Sequence, residues 1–216
     1  MLIIGAKGLA KEILEILHQN DDINNLAFYD DVNNDIGDSL YGKFPILKSL
    51  PEVINFFKKN ENEFTIGIGD PLLRFAMYNK FKNIGGKFVS TISPNTDIGH
   101  YGNLISEGIN IASGVIITND ITIGKGCLIN LNTTIGHDSS IGNFVELCPN
   151  VNISGNCKIG DYSFIGTSAT ILPKISIGKN VIIGAGAVVT KDIPDNSVVV
   201  GMPGKVIREN KPLIFH

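Results

Sequence analysis

Apolar residues recur along the second half of the chain at a spacing that fits neither a helix nor an ordinary strand. Every sixth residue from Ile105 through Val189 is Ile, apart from Leu147 and Val189 itself. A helix would repeat its apolar face at 3.6 residues and a strand at two. Glycine often follows the Ile, as at Gly124, Gly136, Gly142, Gly160 and Gly178. The residue four places after each Ile is small or apolar, as at Val115, Cys127, Thr133, Ser139, Ser163 and Ala169. Each hexad therefore predicts one short strand and one turn. Three hexads, about 18 residues, close a triangular coil whose backbone pairs with the coils above and below. The Ile column points to the axis, and the column four places on must stay small to fit near a corner. The register slips by one residue between Ile98 and Ile105. A fixed period sustained this long is the mark of a solenoid.

Residues 1–92 follow a different pattern. LIIG (2–5), LAFYD (26–30), EFTIGIG (63–69) and KFVSTI (87–92) read as strands. Ile13, Leu14, Ile16 and Leu17 share a helical face, PEVINFFKKN (51–60) is amphipathic, and PLLRFAMYNKFKN (71–83) is a helix opened by Asp70–Pro71. Strand and helix in alternation predict a small parallel sheet with helices packed on it.

Composition narrows the class. The formal charge of −3 and pI of about 5.8 give no field that would gather nucleic acid or an anionic membrane. No apolar run approaches the roughly 18 residues of a membrane span. The N-terminus lacks a basic segment and a small-residue cleavage site, so a cytoplasmic protein is expected. Cys127, Cys148 and Cys157 are odd in number and without CxxC spacing, which favours buried free thiols over a disulfide or a metal site.

Two sites of candidate chemistry stand out. His137 sits in mid-array two residues after an inward Ile, where a side chain projects outward, and Asp138 beside it could fix the tautomer of the ring. Neutral imidazole suits the removal of a proton from an attacking amine. In GAKGLAKE (5–12), Gly5 and Gly8 follow a strand and open a helix, where backbone can approach a phosphate. The motif is not a full GxGxxG, because Lys7 and Ala10 occupy two of its glycine positions.

The hexads of residues 98–189 resemble those of the left-handed β-helix acyltransferases. The segment TKDIPDNSVVVGMPGKVIRE (190–209) resembles their usual ending, with Met202 and Gly204 where Asn and Ala are commoner. The small α/β domain, the triplet Gly136–His137–Asp138 and the pair Asp30–Asp31 after the second strand look like the PglD/NeuD group. These are N-acetyltransferases of nucleotide-linked amino sugars in surface glycan synthesis. The resemblance implies a Rossmann-like nucleotide-sugar-binding domain at 1–92 and a left-handed parallel β-helix with its tail at 93–216. It implies acetyl-CoA as co-substrate, no metal, and His137 as general base with Asp138 orienting it. Asn130 would lie near the acceptor, and Glu146 stands where many relatives carry a second histidine beside the acetyl group. Backbone at Gly155, Thr167 and Ala185 would line the coenzyme groove between neighbouring copies. Gly5 and Gly8 would meet the diphosphate, and Asp30 and Asp31 the base or ribose.

A lone base with no second wall in its own chain predicts a homotrimer, in which a neighbour supplies that wall. The alternatives are O-acetylation of a sugar of the sialic acid type, or a hexapeptide-repeat binding protein without catalysis. A zinc-dependent hydratase on this fold would need further histidines in adjacent coils, and the array offers none beyond His137.

Overall fold

The computed structural model of the protein describes residues 1–33, 35–211 and 213. It divides into two compact units, Met1–Pro94 and Asn95–His216.

The first unit contains β1 (Leu2–Ile4), α1 (Gly8–Gln19), β2 (Ala27–Tyr29), β3 (Ser39–Leu40), β4 (Phe44–Leu47), α2 (Leu50–Lys59), β5 (Glu63–Ile66), α3 (Pro71–Asn83) and β6 (Lys87–Phe88). The sheet order is β3-β4-β2-β1-β5-β6, parallel except for the β3–β4 pair. Successive β2 residues serve opposite faces, as strand geometry requires. Phe28 joins Ile3, Ile46 and the α1 residues Ile13 and Leu17 in one buried cluster. Tyr29 meets Phe81 of α3 edge-on, at 5.0 Å between ring centroids. Helix α3 starts as expected, with the Asp70 carboxylate accepting from the Leu73 N–H at 2.8 Å.

Two elements differ from those expected. The β3–β4 hairpin was not predicted, and it turns on Tyr41 and Gly42, both at positive φ, with the Lys43 N–H donating to the Leu40 carbonyl. That turn normally advertises itself as Asn-Gly or Asp-Gly, and Tyr at its first position hides it. The expected strand 87–92 is broken into Lys87–Phe88 and Thr91–Ile92.

The second unit is a stack of triangular coils with three faces, each built of parallel two-residue strands. One face carries Ile116–Ile117, Thr134–Ile135, Asn152–Ile153 and Thr170–Ile171. The next carries Thr122–Ile123, Ser140–Ile141, Lys158–Ile159 and Ser176–Ile177. The last carries Asn110–Ile111, Leu128–Ile129, Glu146–Leu147, Phe164–Ile165 and Ile182–Ile183. We call these the first, second and third faces. The column Ile117, Ile135, Ile153, Ile171 is buried throughout, each Ile in register with the next.

The small column at the corners is buried too, and its polar members have a structural task. Thr133, Ser139 and Ser163 donate their hydroxyls to carbonyls of Cys148, Ser154 and Gly178, each 15 residues on. The Ser139 and Ser163 oxygens accept in turn from the N–H of Cys157 and Val181. A hydroxyl there supplies a hydrogen-bond partner to backbone groups at the buried corner. The register slip seen in the sequence enlarges the first coil: Ile98 pairs with Ile117, whereas Ile105 pairs with Ile123. The extra residue lies in the exposed corner that contains His100. At the far end, Lys205–Glu209 turns back antiparallel on Ser197–Val200.

Candidate active site

The corner between the first and second faces holds His137. Asp138 takes the left-handed conformation there, φ +59°, which short polar residues tolerate. This aims its carboxylate at the ring, with Nδ1 to Oδ2 at 2.6 Å. A carboxylate can only accept, so the proton of the neutral ring lies on Nδ1 and Nε2 carries the lone pair. Both side chains are open to solvent, 64% and 55% exposed.

One coil further on, the ring lies against Gly155. A Cβ built on Gly155 would come within 2.6 Å of His137 Nε2 and 2.7 Å of Cε1. The basic nitrogen and the Gly155 backbone therefore share one small region. The Gly155 N–H also has no acceptor among the described residues. The reason appears when the corners are compared. At the corner after the second face, the N–H groups of Lys125, Asn143 and Lys179 donate to the side chains of Asn143, Asp161 and Asp195, about one coil on. The His137 corner begins the same way, with the Tyr101 N–H donating to Asn119 Oδ1 at 3.3 Å. The column then runs Asn119, His137, Gly155, Pro173. Gly155 and Pro173 have no acceptor side chain, so the capping ladder ends and leaves an outward donor beside a base.

Thr167 and Ala185 lie together on another corner, between the third and first faces. Both are exposed, and the Gly186 N–H donates to the Thr167 carbonyl at 2.8 Å. One face of the prism, the first, separates them from His137 and Gly155. The structure does not bring Asn130 or Glu146 to the imidazole. Glu146 lies in the third face and Asn130 just after its strand Leu128–Ile129; they are buried, 7% and 6% exposed. The Glu146 carboxylate instead accepts from the Cys148 thiol at 3.8 Å. Desolvation, reinforced by that carboxylate, pushes the Cys148 thiol up to about 12. All three cysteines are free and buried. Among the described residues no three His, Cys, Asp or Glu side chains gather as metal ligands, and no helix is long and apolar enough to cross a membrane.

The α/β unit has a cleft of about 370 Å³ at the carboxyl ends of β1, β2 and β5. Neighbouring β2 and β5 leave β1 in opposite directions across the sheet, and such a switch point is where open α/β sheets bind ligands. Gly5 and Gly8 line the cleft at the start of α1. Gly5 has φ +98°, and a side chain there would strike the Gly67 carbonyl, so only glycine fits. Lys7 pairs with Asp35 at 2.9 Å, both exposed, and this holds the Asp35 carboxyl below its usual range.

Asp30 and Asp31 also line the cleft but are differently engaged. Asp30 accepts from the N–H groups of Val32 and Asn33 and from the Asn33 amide, and so fixes the turn after β2. Asp31 Oδ2 accepts from the Tyr29 hydroxyl at 2.6 Å and from Lys80 Nζ at 2.9 Å. Desolvation would raise the Asp31 carboxyl, but Tyr29 and Lys80 outweigh it and hold it low. Lys80 is correspondingly held up by Tyr29 and Asp31 against its own desolvation. Its place in this network had no signal in the sequence, because Lys80 reads as an ordinary solvated lysine on α3.

A prism of hexapeptide coils with an outward His–Asp pair, preceded in the chain by a small α/β unit, is the architecture of a left-handed β-helix acyltransferase. Comparison with known proteins sharpens this. The family described as PglD N-terminal domain matches residues 1–81, and bacterial transferase hexapeptide (six repeats) matches 132–172 and 156–191. WeeI from Acinetobacter baumannii is 30% identical, with a TM-score of 0.86 over 95% of this chain and 98% of that one. A mutant of perosamine N-acetyltransferase from Caulobacter crescentus, solved with CoA and GDP-perosamine, is 27% identical over 96% of both chains, TM-score 0.88. The acetyltransferase domain of PglB from Neisseria gonorrhoeae is 27% identical over 95% of this chain and 98% of that one, TM-score 0.86. The chain belongs to the PglD/NeuD family of hexapeptide-repeat acetyltransferases.

Proposed function

We propose that the protein transfers acetyl from acetyl-CoA to the amino group of a nucleotide-linked deoxyamino sugar. The observation that carries this reading is the His137–Asp138 pair at 2.6 Å, with its basic nitrogen beside Gly155. Acetyl-CoA supplies the thioester; the residues of the chain handle the proton and the charge. His137 Nε2 takes a proton from the acceptor amine as nitrogen attacks the carbonyl. The Asp138 carboxylate steadies the imidazolium that forms. The Gly155 N–H donates to the carbonyl oxygen as it gains charge. Collapse of the tetrahedral centre forms the amide and breaks the carbon–sulfur bond, and the imidazolium returns the proton to the leaving sulfur.

In the α/β unit the sugar nucleotide occupies the cleft, its diphosphate over Gly5 and Gly8 at the start of α1. Asp31, held in place by Tyr29 and Lys80, accepts from the base or ribose, while Asp30 shapes the loop that carries it. Thr167 and Ala185 line the coenzyme groove of a cytoplasmic homotrimer, on a different corner from His137. Two such corners meet when neighbouring prisms pack side by side about a threefold axis, which supports the trimer. The test is thiol release from acetyl-CoA with UDP-, dTDP- and GDP-linked amino sugars. Release that depends on one of them supports the reading, and release with none of them rejects it.

A further inference from the structure

We propose that Gly155 is a positioning residue for the base: its missing side chain is the seat of the His137 imidazole. The inference rests on the reading of His137 as general base. It concerns the missing side chain of Gly155 rather than its backbone N–H, and the two roles separate on substitution.

The geometry leaves little latitude. His137 and Gly155 occupy the same position in successive coils, joined by the hydrogen bond from the Asn156 N–H to the His137 carbonyl at 2.7 Å. Such coils are about 4.8 Å apart. Asp138 pins one edge of the ring through Nδ1. The far edge, Nε2 and Cε1, lies where a Cβ of residue 155 would stand, and Cδ2 is 3.1 Å from the same point. Any side chain at 155 would enter the ring. The other positions of this column, Tyr101, Asn119 and Pro173, do carry side chains, so the corner itself does not require glycine. Neither does the backbone, because Gly155 is absent from the residues at positive φ. The three atoms nearest to such a Cβ all belong to the ring, so it is the ring that calls for glycine.

What gives way on adding a methyl group follows from the same facts. The backbone is locked into the stack, whereas the ring is the mobile end of an exposed side chain. The ring moves, the contact with Asp138 lengthens, and Nε2 leaves the region of the Gly155 N–H. Misplacement of a catalytic group by about 1 Å can cost on the order of 100-fold in rate. The amide of residue 155 remains in the alanine variant, so the donor to the thioester survives.

The experiment compares wild type, Gly155→Ala, His137→Ala and the double variant. Gly155→Ala should fold, lower kcat about 100-fold, and leave KM for acetyl-CoA within about twofold. The double variant should be no slower than His137→Ala, because the seat acts only through the ring. NMR of the histidine ring signals, assigned with His137→Ala, should show the His137 signals moved in Gly155→Ala and those of His100 unmoved. A kcat within about threefold of wild type overturns the proposal when His137→Ala is itself strongly impaired. Losses that multiply in the double variant overturn it too, as does a raised acetyl-CoA KM at constant kcat. If His137→Ala keeps full activity, the base reading fails by itself. The NMR comparison then decides the seat: moved ring signals uphold it and unmoved ones reject it. Should Gly155→Ala not fold, removal of the ring in the double variant should restore folding, and continued failure overturns the proposal.

Discussion

Replacing His137 by alanine separates catalysis from stability more cleanly than any other change in this chain. The ring is 64% exposed and makes a single side-chain hydrogen bond, to Asp138. Its loss should alter folding stability by no more than about 0.5 kcal/mol, the usual range for a surface substitution. As general base it should contribute about 10² to 10⁴ in rate. At about 1.36 kcal/mol for each tenfold, that is roughly 3 to 5 kcal/mol of barrier, several times the change in stability. KM for acetyl-CoA should stay nearly constant, because the imidazole acts mainly in the transition state. Asp138→Asn is the informative companion. Asn tolerates the φ of +59° that Asp138 adopts, so the turn survives, but an amide no longer dictates which ring nitrogen carries the proton. It should cost less than His137→Ala, about 10- to 100-fold. The assay is thiol release under saturating acetyl-CoA, with single-turnover experiments to establish that chemistry limits the rate. If His137→Ala keeps more than half of wild-type kcat under those conditions, the base is elsewhere.

Other outcomes follow from the packing and the charges. Ile135→Ala should destabilise the protein by about 3 kcal/mol in denaturant titration, because Ile117 and Ile153 in the adjoining coils fix the walls of the cavity it leaves. Cys148, pushed up to about 12, stays a thiol at pH 8, so iodoacetamide should label it only after unfolding. Lys80→Met should raise KM for the nucleotide sugar and leave that for acetyl-CoA unchanged, because the Asp31 carboxylate loses the partner that holds it in place. Light scattering should return three times the chain mass; a monomeric mass at micromolar concentration would reject the trimer.

The solenoid was legible because one geometric fact, an inward residue at each side of a triangle, is written into the sequence at every sixth position. Even its small corner column was readable as a steric demand. Why that column is partly Ser and Thr was not, since the carbonyls they serve lie 15 residues away in the next coil. His137 and Asp138 could be singled out as outward neighbours in an apolar array. The contact of the ring with Gly155 needed the coil pitch and the rotamer together. Asn130 near the acceptor and Glu146 beside the acetyl group rest on resemblance alone; within one chain both are buried, Glu146 in the third face and Asn130 just after its strand Leu128–Ile129. The β3–β4 hairpin escaped because its turn uses Tyr41 where Asn or Asp is usual.

Acetyl transfer to a sugar amine can be read from mass spectrometry of the products formed by the purified protein from acetyl-CoA and a panel of nucleotide-linked amino sugars. One of the sugars should gain a single acetyl group, stable to hydroxylamine as an amide is, and absent when the amine is replaced by hydroxyl. An acetyl group that hydroxylamine removes would reveal an ester and an O-acetyltransferase. No acetylated product from any amino sugar in the panel would mean that the protein is not a sugar acetyltransferase of this kind.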